Sequence, residues 1–238
     1  MAPVARELAA IGGVLEPLQK AATIEGQLSE LKAILVEQGK PPFTLIGFSW
    51  GGMLGFIFTT RNPSLVEKLI LISSGAYEAS YAASITETRL QRLTDEERKE
   101  ALLLTESLDN PAVGGKDALL AGLGKLLSKA DSYNPLPQDS EILETRYDIN
   151  QSIWGEAAVL RSSGELLKLG RQISCPVVAI HGAYDPHPHA GVSEPLARTL
   201  KDFRLILLEK CGHYPWRERE AKDRFYRILK KEAASRPG

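Results

Sequence analysis

Two periods of hydrophobic residues alternate along the chain. Val4, Leu8 and Ile11 mark one face of a short helix predicted to stop at Gly12-Gly13, and VLEPL (Val14 to Leu18) reads as a strand. Thr23 is placed to cap the next helix, TIEGQLSELKAILVEQG, in which Ile24, Leu28, Leu31 and Leu35 share a face and Gly39 marks the end. PPFTLIGF then predicts a buried strand, GGMLGFIFTT an apolar helix ending near Asn62-Pro63, and VEKLILIS (Val66 to Ser73) another strand. Helix and strand alternate strictly, which predicts an α/β fold: a mostly parallel sheet with helices on both faces.

From about Ala76 to Arg171 only the helical period persists, through RLQRLTDEERKEALLLTESL, DALLAGLGKLLSKADSY and EILETRYDINQSIWGEAAVLRSSGELLKLG. Alternation resumes with the strand CPVVAIHG, a helix through EPLARTLKDF, the strand RLILLEK and a terminal helix REREAKDRFYRILKKEAA. The expected organisation is therefore a core built from residues 1–75 and 172–238, with an all-helical insertion at 76–171.

Composition narrows the function classes. With 238 residues, 43% of them hydrophobic, the chain can bury a substantial core, and one domain with an insertion fits better than two. The 29 basic and 30 acidic residues leave a net charge of −1. That balance gives no electrostatic footprint for nucleic acid or an anionic membrane, so neither is expected as a partner. No apolar run approaches the ~20 residues of a membrane span, and a cytoplasmic chain is expected. Cys175 opens one predicted strand and Cys211 follows the next, which puts them at opposite ends of a parallel sheet, roughly 20 Å apart and beyond bridging distance.

The chemistry begins at TLIGFSWGGMLGF, where Ser49 sits on a strand-to-helix turn between Gly47 and Gly51. Glycines two residues either side leave room where a Cβ would meet backbone, and the following helix aims its unpaired N–H groups at whatever reacts there. A serine hydroxyl is a poor nucleophile at neutral pH; it needs a general base, and the base needs an acid to fix its tautomer. Asp185 in CPVVAIHGAYDPHP and His213 in RLILLEKCGHYPW supply both, each just past the carboxyl end of a strand, where sites gather in open parallel sheets. A histidine base must be neutral, so hydrolysis is expected to fall with pH through roughly 6 to 7.

The order Ser, Asp, His, with GFSWGG at 47–52, HGAYDP at 181–186 and CGHYPW at 211–216, resembles the α/β-hydrolases with a helical cap, a family that includes proline iminopeptidase-like, haloperoxidase-like and esterase-like members. The resemblance runs from Ala5 onward. It implies Ser49 as nucleophile, His213 as base and later acid, Asp185 as its orienter, and the backbone N–H of Trp50 as an oxyanion donor. It also implies a serine hydrolase of small-molecule esters, amides or thioesters that works through an acyl-serine and needs no cofactor. The alternative is a weak or inactive relative that binds a ligand or partner under the cap.

Other residues are weighed against this reading. Trp154 and Trp216 are candidate substrate-pocket residues, although aromatic residues at such contacts more often pack. Glu78 is a substitute acid in some relatives and ranks well below Asp185. His181, Asp185, His187 and His189 invite a metal reading, but a spacing split between a strand and a proline-broken loop argues against convergence, so no metal site is expected. The family pattern also includes an upstream H-G loop that gives a second oxyanion N–H, and nothing before Ser49 matches it. The fold is therefore expected to be incomplete at its N-terminal side, with slow acylation. PFTLIGF would be left with an unpaired edge that either promotes homo-oligomers or accepts VLEPL.

Overall fold

The computed structural model describes residues 1–137 and 145–235. Its centre is a parallel sheet of four strands, β1 (Phe43–Phe48), β2 (Val66–Ile72), β3 (Val177–Gly182) and β4 (Phe203–Leu208), lying side by side in chain order. The inner strands β2 and β3 are buried almost throughout, which explains their unbroken apolar runs, whereas the outer strands are mostly half-buried.

Side chains alternate across the sheet into two cores. Leu69, Leu71, Val177 and Ala179 face one side and pack with α2 (Ile24–Gln38), α3 (Trp50–Arg61) and α10 (Ala190–Thr199). Ile70, Ile72, Val178 and Ile180 face the other, against α1 (Ala2–Leu8) and α11 (Lys222–Ala234). The predicted face of α2 is the buried one: Ile24, Leu28, Leu31 and Leu35 all lie in the first core. The Thr23 side chain accepts from the Gly26 N–H at 3.1 Å, the cap the sequence calls for.

Between β2 and β3 the described residues form six α-helices: α4 (Ala79–Ala82), α5 (Ile85–Gln91), α6 (Asp95–Asp109), α7 (Lys116–Ala130), α8 (Tyr147–Ser162) and α9 (Glu165–Leu169). Thr94 divides what reads as one opening helix, because its side chain and Glu97 form a reciprocal capping box at the start of α6. Leu93, Ala101 and Ala130 make a small separate core, while Ile153, Ala157 and Leu166 of α8 and α9 join the main one. Glu141 to Glu144, expected to begin the last of these helices, lie outside the described residues.

The N-terminal reading needs correction. Helix α1 ends at Leu8, and Ile11 is left 49% exposed instead of continuing the buried face. VLEPL is not a strand and does not pair with β1. An extended segment is held by a ladder partner or not at all, and here β1 takes only β2. Val14, Leu15 and Leu18 are accordingly exposed.

Candidate active site

Ser49 lies between β1 and α3 with φ 50° and ψ −117°, a left-handed-side conformation that costs a non-glycine residue about 1–3 kcal/mol. The turn is held from below by the Ser49 N–H, which donates to the Ile72 carbonyl at 2.9 Å. The two flanking glycines turn out to differ. A Cβ on Gly47 would sit 2.2 Å from the Gly51 carbonyl oxygen, so the strand and the helix can meet only without one. A Cβ on Gly51 would meet nothing within 4 Å, which corrects the expectation that both glycines make room. The second tight position is Gly52, whose Cβ would come 3.2 Å from the Ser74 side chain.

The other two residues arrive from β3 and β4. The loops beyond these strands are laced together: the Ala183 N–H donates to Leu208 O and the Tyr184 N–H to Cys211 O, both at 2.8 Å. His213 Nδ1 lies 2.7 Å from Asp185 Oδ2, and His213 Nε2 lies 3.1 Å from Ser49 Oγ. A carboxylate can only accept, so Nδ1 carries the proton and Nε2 presents a lone pair to the serine hydroxyl. Asp185 and His213 are both buried, 6% and 4% exposed, and the hydroxyl is only half-buried. Burial alone would raise the Asp185 pKa; the adjoining His213, the hydrogen bonds from His187 and His213, and His181 outweigh it and hold the carboxyl well below its ordinary range.

The helical segment braces this arrangement. The His213 N–H donates at 2.8 Å to the carbonyl of Asp131, whose buried carboxylate takes two 2.7 Å hydrogen bonds from the Arg89 guanidinium. Buried Glu218 accepts from the Gly212, Tyr133 and Asn134 N–H groups at 2.9, 2.8 and 2.8 Å. The loop carrying His213 is thus tied to residues 131–134 by backbone bonds and the buried Glu218 carboxylate, and the buried Asp131 carboxylate ties that stretch in turn to Arg89. Sequence reading missed both, because Asp131 in SKADSY and Glu218 in WRERE look like surface charges.

Trp50 opens α3, so its backbone N–H is among those a helix leaves unpaired at its start. Its indole is anchored, donating to Gln27 Oε1 at 2.8 Å, while the Gln27 amide donates to Ala21 O at 3.0 Å. Trp154 of α8 meets Trp50 edge-on at 5.8 Å between centroids. Trp216 packs edge-on against Phe48 at 4.7 Å and belongs to the core on the α1 and α11 face. Glu78 is apart from the site, bonded at 2.9 Å to Arg198.

The histidine cluster converges more than its spacing suggests. His187 donates to Asp185 Oδ1 from both its backbone N–H and its ring Nδ1, each at 2.9 Å, and His181 Nε2 donates to His187 O at 2.8 Å. One ligand atom each from Asp185, His187 and His213 falls within 4.8 Å of the others, close enough to hold a metal ion, while the Nδ1 atoms of both histidines are engaged in hydrogen bonds to the Asp185 carboxylate. The sequence signal for His187 is its place two residues after the aspartate, where a short turn returns both donors to the carboxylate. His189 stands outside this group at the start of α10.

Among described residues no helix is long and apolar enough to cross a membrane. A pimeloyl-[acyl-carrier protein] methyl ester esterase of Nitrosospira multiformis is 27% identical over 188 residues, 76% of this chain and 65% of that protein. Human monoacylglycerol lipase ABHD6 is 23% identical over 209 residues, 84% of this chain and 58% of the lipase. The chain thus spans less than two thirds of the length of either relative. Among solved structures, an alpha/beta fold family hydrolase from Bacillus anthracis superposes with a TM-score of 0.64 at 15% identity, covering 88% of this chain and 73% of that one, a likeness of fold. The family model of the alpha/beta hydrolase fold matches residues 23–216, a span that takes in the strained Ser49 turn and all four parallel strands, and the chain belongs to that family.

Proposed function

We propose that the chain is a serine hydrolase that cleaves an ester, amide or thioester of a small molecule through an acyl-serine intermediate. The observation that carries this reading is the pair of contacts at His213, 3.1 Å to Ser49 Oγ and 2.7 Å to Asp185 Oδ2. Ester cleavage is the favoured subclass, in keeping with the esterase and lipase names of the relatives. Ser49 Oγ attacks the substrate carbonyl as its proton passes to His213 Nε2, and Asp185 stabilises the resulting imidazolium. The carbonyl oxygen becomes an oxyanion, which the free N–H of Trp50 at the start of α3 is placed to receive. Collapse of the tetrahedral intermediate expels the leaving group, which takes the proton from His213. Water then attacks the acyl-serine, delivers a proton to His213, and releases the acid as that proton returns to Ser49. No step draws on a cofactor.

The test is labelling by a serine-directed phosphonate probe together with hydrolysis of an activated ester. Wild-type protein should be labelled, and Ser49→Ala should lose both labelling and turnover with an unchanged circular dichroism spectrum. Labelling that survives this substitution removes Ser49 from the mechanism.

A further inference from the structure

The carboxylate of Asp185 serves two imidazoles. His213 Nδ1 takes one oxygen at 2.7 Å and His187 Nδ1 the other at 2.9 Å, with the two rings stacked at 4.6 Å between centroids and 27° between planes. Because the carboxylate accepts from both, each ring carries its hydrogen on Nδ1. The His187 ring is 13% exposed, and the His187 carbonyl is itself held by buried His181. We propose that His187 is a positioning residue for the hydrolytic reaction: its Nδ1–H fixes the outer oxygen of Asp185 and its ring backs that of His213, so the base is locked with Nε2 towards Ser49.

This inference rests on the hydrolase reading and adds a side chain to it. With one donor on Oδ2 and none on Oδ1, a carboxylate can rotate about its Cβ–Cγ bond and carry the imidazole with it. Two further donors on Oδ1, the backbone N–H and the ring, remove that freedom. Only the ring donor can be deleted by substitution, and it alone couples the carboxylate to a second plane stacked on the base. The groups that face His187 are Asp185, His213 and, from α5, Arg89. Burial first, and the charges of His213 and Arg89 after it, push its imidazole towards the neutral form, so it can donate to Asp185 without setting a second positive charge against the imidazolium.

Two substitutions separate the hydrogen bond from the stacking. His187→Phe keeps a stacked ring without a donor; His187→Asn keeps an N–H within reach of Oδ1 without a ring. The backbone N–H at 187 still holds Oδ1 in both variants, so losing the ring donor should lower kcat on an activated ester about 10-fold with KM little changed for His187→Phe, the cost of one hydrogen bond. His187→Asn should recover most of kcat. Full kcat in His187→Phe overturns the proposal, and so does an equal loss in both variants, because then the donor is not what matters. Should His187→Phe fail to fold, His187→Ala takes its place without added bulk. The proton resonance of His213 Nδ1–H bonded to Asp185 gives a reading independent of turnover: it should broaden or shift in His187→Phe and return in His187→Asn. If wild-type protein resists the phosphonate probe, the hydrolase reading fails by itself, while an Nδ1–H resonance unmoved by His187→Phe refutes the positioning role separately.

Discussion

Replacing Gly212 with alanine should damage both the fold and the site, by an amount that the surroundings of that glycine set. A Cβ at 212 would lie 2.1 Å from the Asp131 carbonyl oxygen, 2.7 Å from Glu218 Oε1 and 2.9 Å from Ser132 Cα. Two of these three atoms are backbone, and the third is a buried carboxylate oxygen that already holds the Gly212 N–H at 2.9 Å and the Tyr133 N–H at 2.8 Å. None can swing aside, so the loop and residues 131–132 must part by about 1 Å. Forcing a methyl into a packed site costs about 1–3 kcal/mol. Losing the charged hydrogen bond to Glu218 adds about 1.5–3 kcal/mol, and the 2.8 Å bond from the His213 N–H to Asp131 O about 1 kcal/mol. The expected loss is therefore about 3.5–7 kcal/mol, a large share of the roughly 5–15 kcal/mol that stabilises a domain. Because His213 follows directly, the same displacement stretches its 3.1 Å contact with Ser49 beyond hydrogen-bonding range and should slow probe labelling about 100-fold in whatever fraction folds. Urea unfolding and labelling rates measure the two effects. A Gly212→Ala protein within about 0.5 kcal/mol of wild type and labelled at the wild-type rate refutes the reasoning.

The other expectations are brief. Gly51→Ala, at a helical position where a Cβ meets nothing within 4 Å, should be neutral or stabilise by up to about 1 kcal/mol in the same unfolding assay; strong destabilisation would show an unrecognised close neighbour. Burial drives the pKa of both His181 and His187 down, so the unfolded chain takes up protons near pH 6.5 that the native chain refuses; their contribution is full above that pH and fades below it. The urea midpoint should therefore fall between about pH 7.5 and 5.5, and further below about pH 4 as unfolded Asp185 protonates; a flat midpoint across that range would sink the idea. The outer edge of β1 pairs with no strand among the described residues, which predicts self-association by edge pairing; light scattering that finds a strict monomer at the highest attainable concentration overturns it.

Where an element makes its own case locally, the sequence announces it. Thr23 and Gly39 bracket α2, four apolar residues at helical spacing mark its buried face, and the β2 and β3 runs are apolar because both their faces are covered. Ser49 and His213 were legible for a related reason: each stands beside glycines that no apolar period explains. What stayed hidden depends on partners distant in sequence. VLEPL has a strand's composition but no ladder beside it, and composition cannot report a missing neighbour. Gly51 and Gly52 look alike in GFSWGG, yet only the fold shows that Ser74 crowds one and open space the other.

The same limit explains the carboxylates. Asp131 and Glu218 sit in stretches rich in charge, where a solvated side chain is the default reading, and each is buried only because a distant segment reaches it: N–H groups 85 and 84 residues away for Glu218, a guanidinium 42 residues away for Asp131. A buried, unpaired carboxylate would be costly, so once these contacts exist they resist removal from either side. That makes the His213 loop and residues 131–134 one mechanical unit although they belong to different parts of the chain. A substitution such as Arg89→Met, which leaves the Asp131 carboxylate buried and unpaired on the same residue whose carbonyl holds the His213 N–H, should therefore be felt at His213 even though Arg89 touches neither Ser49 nor His213.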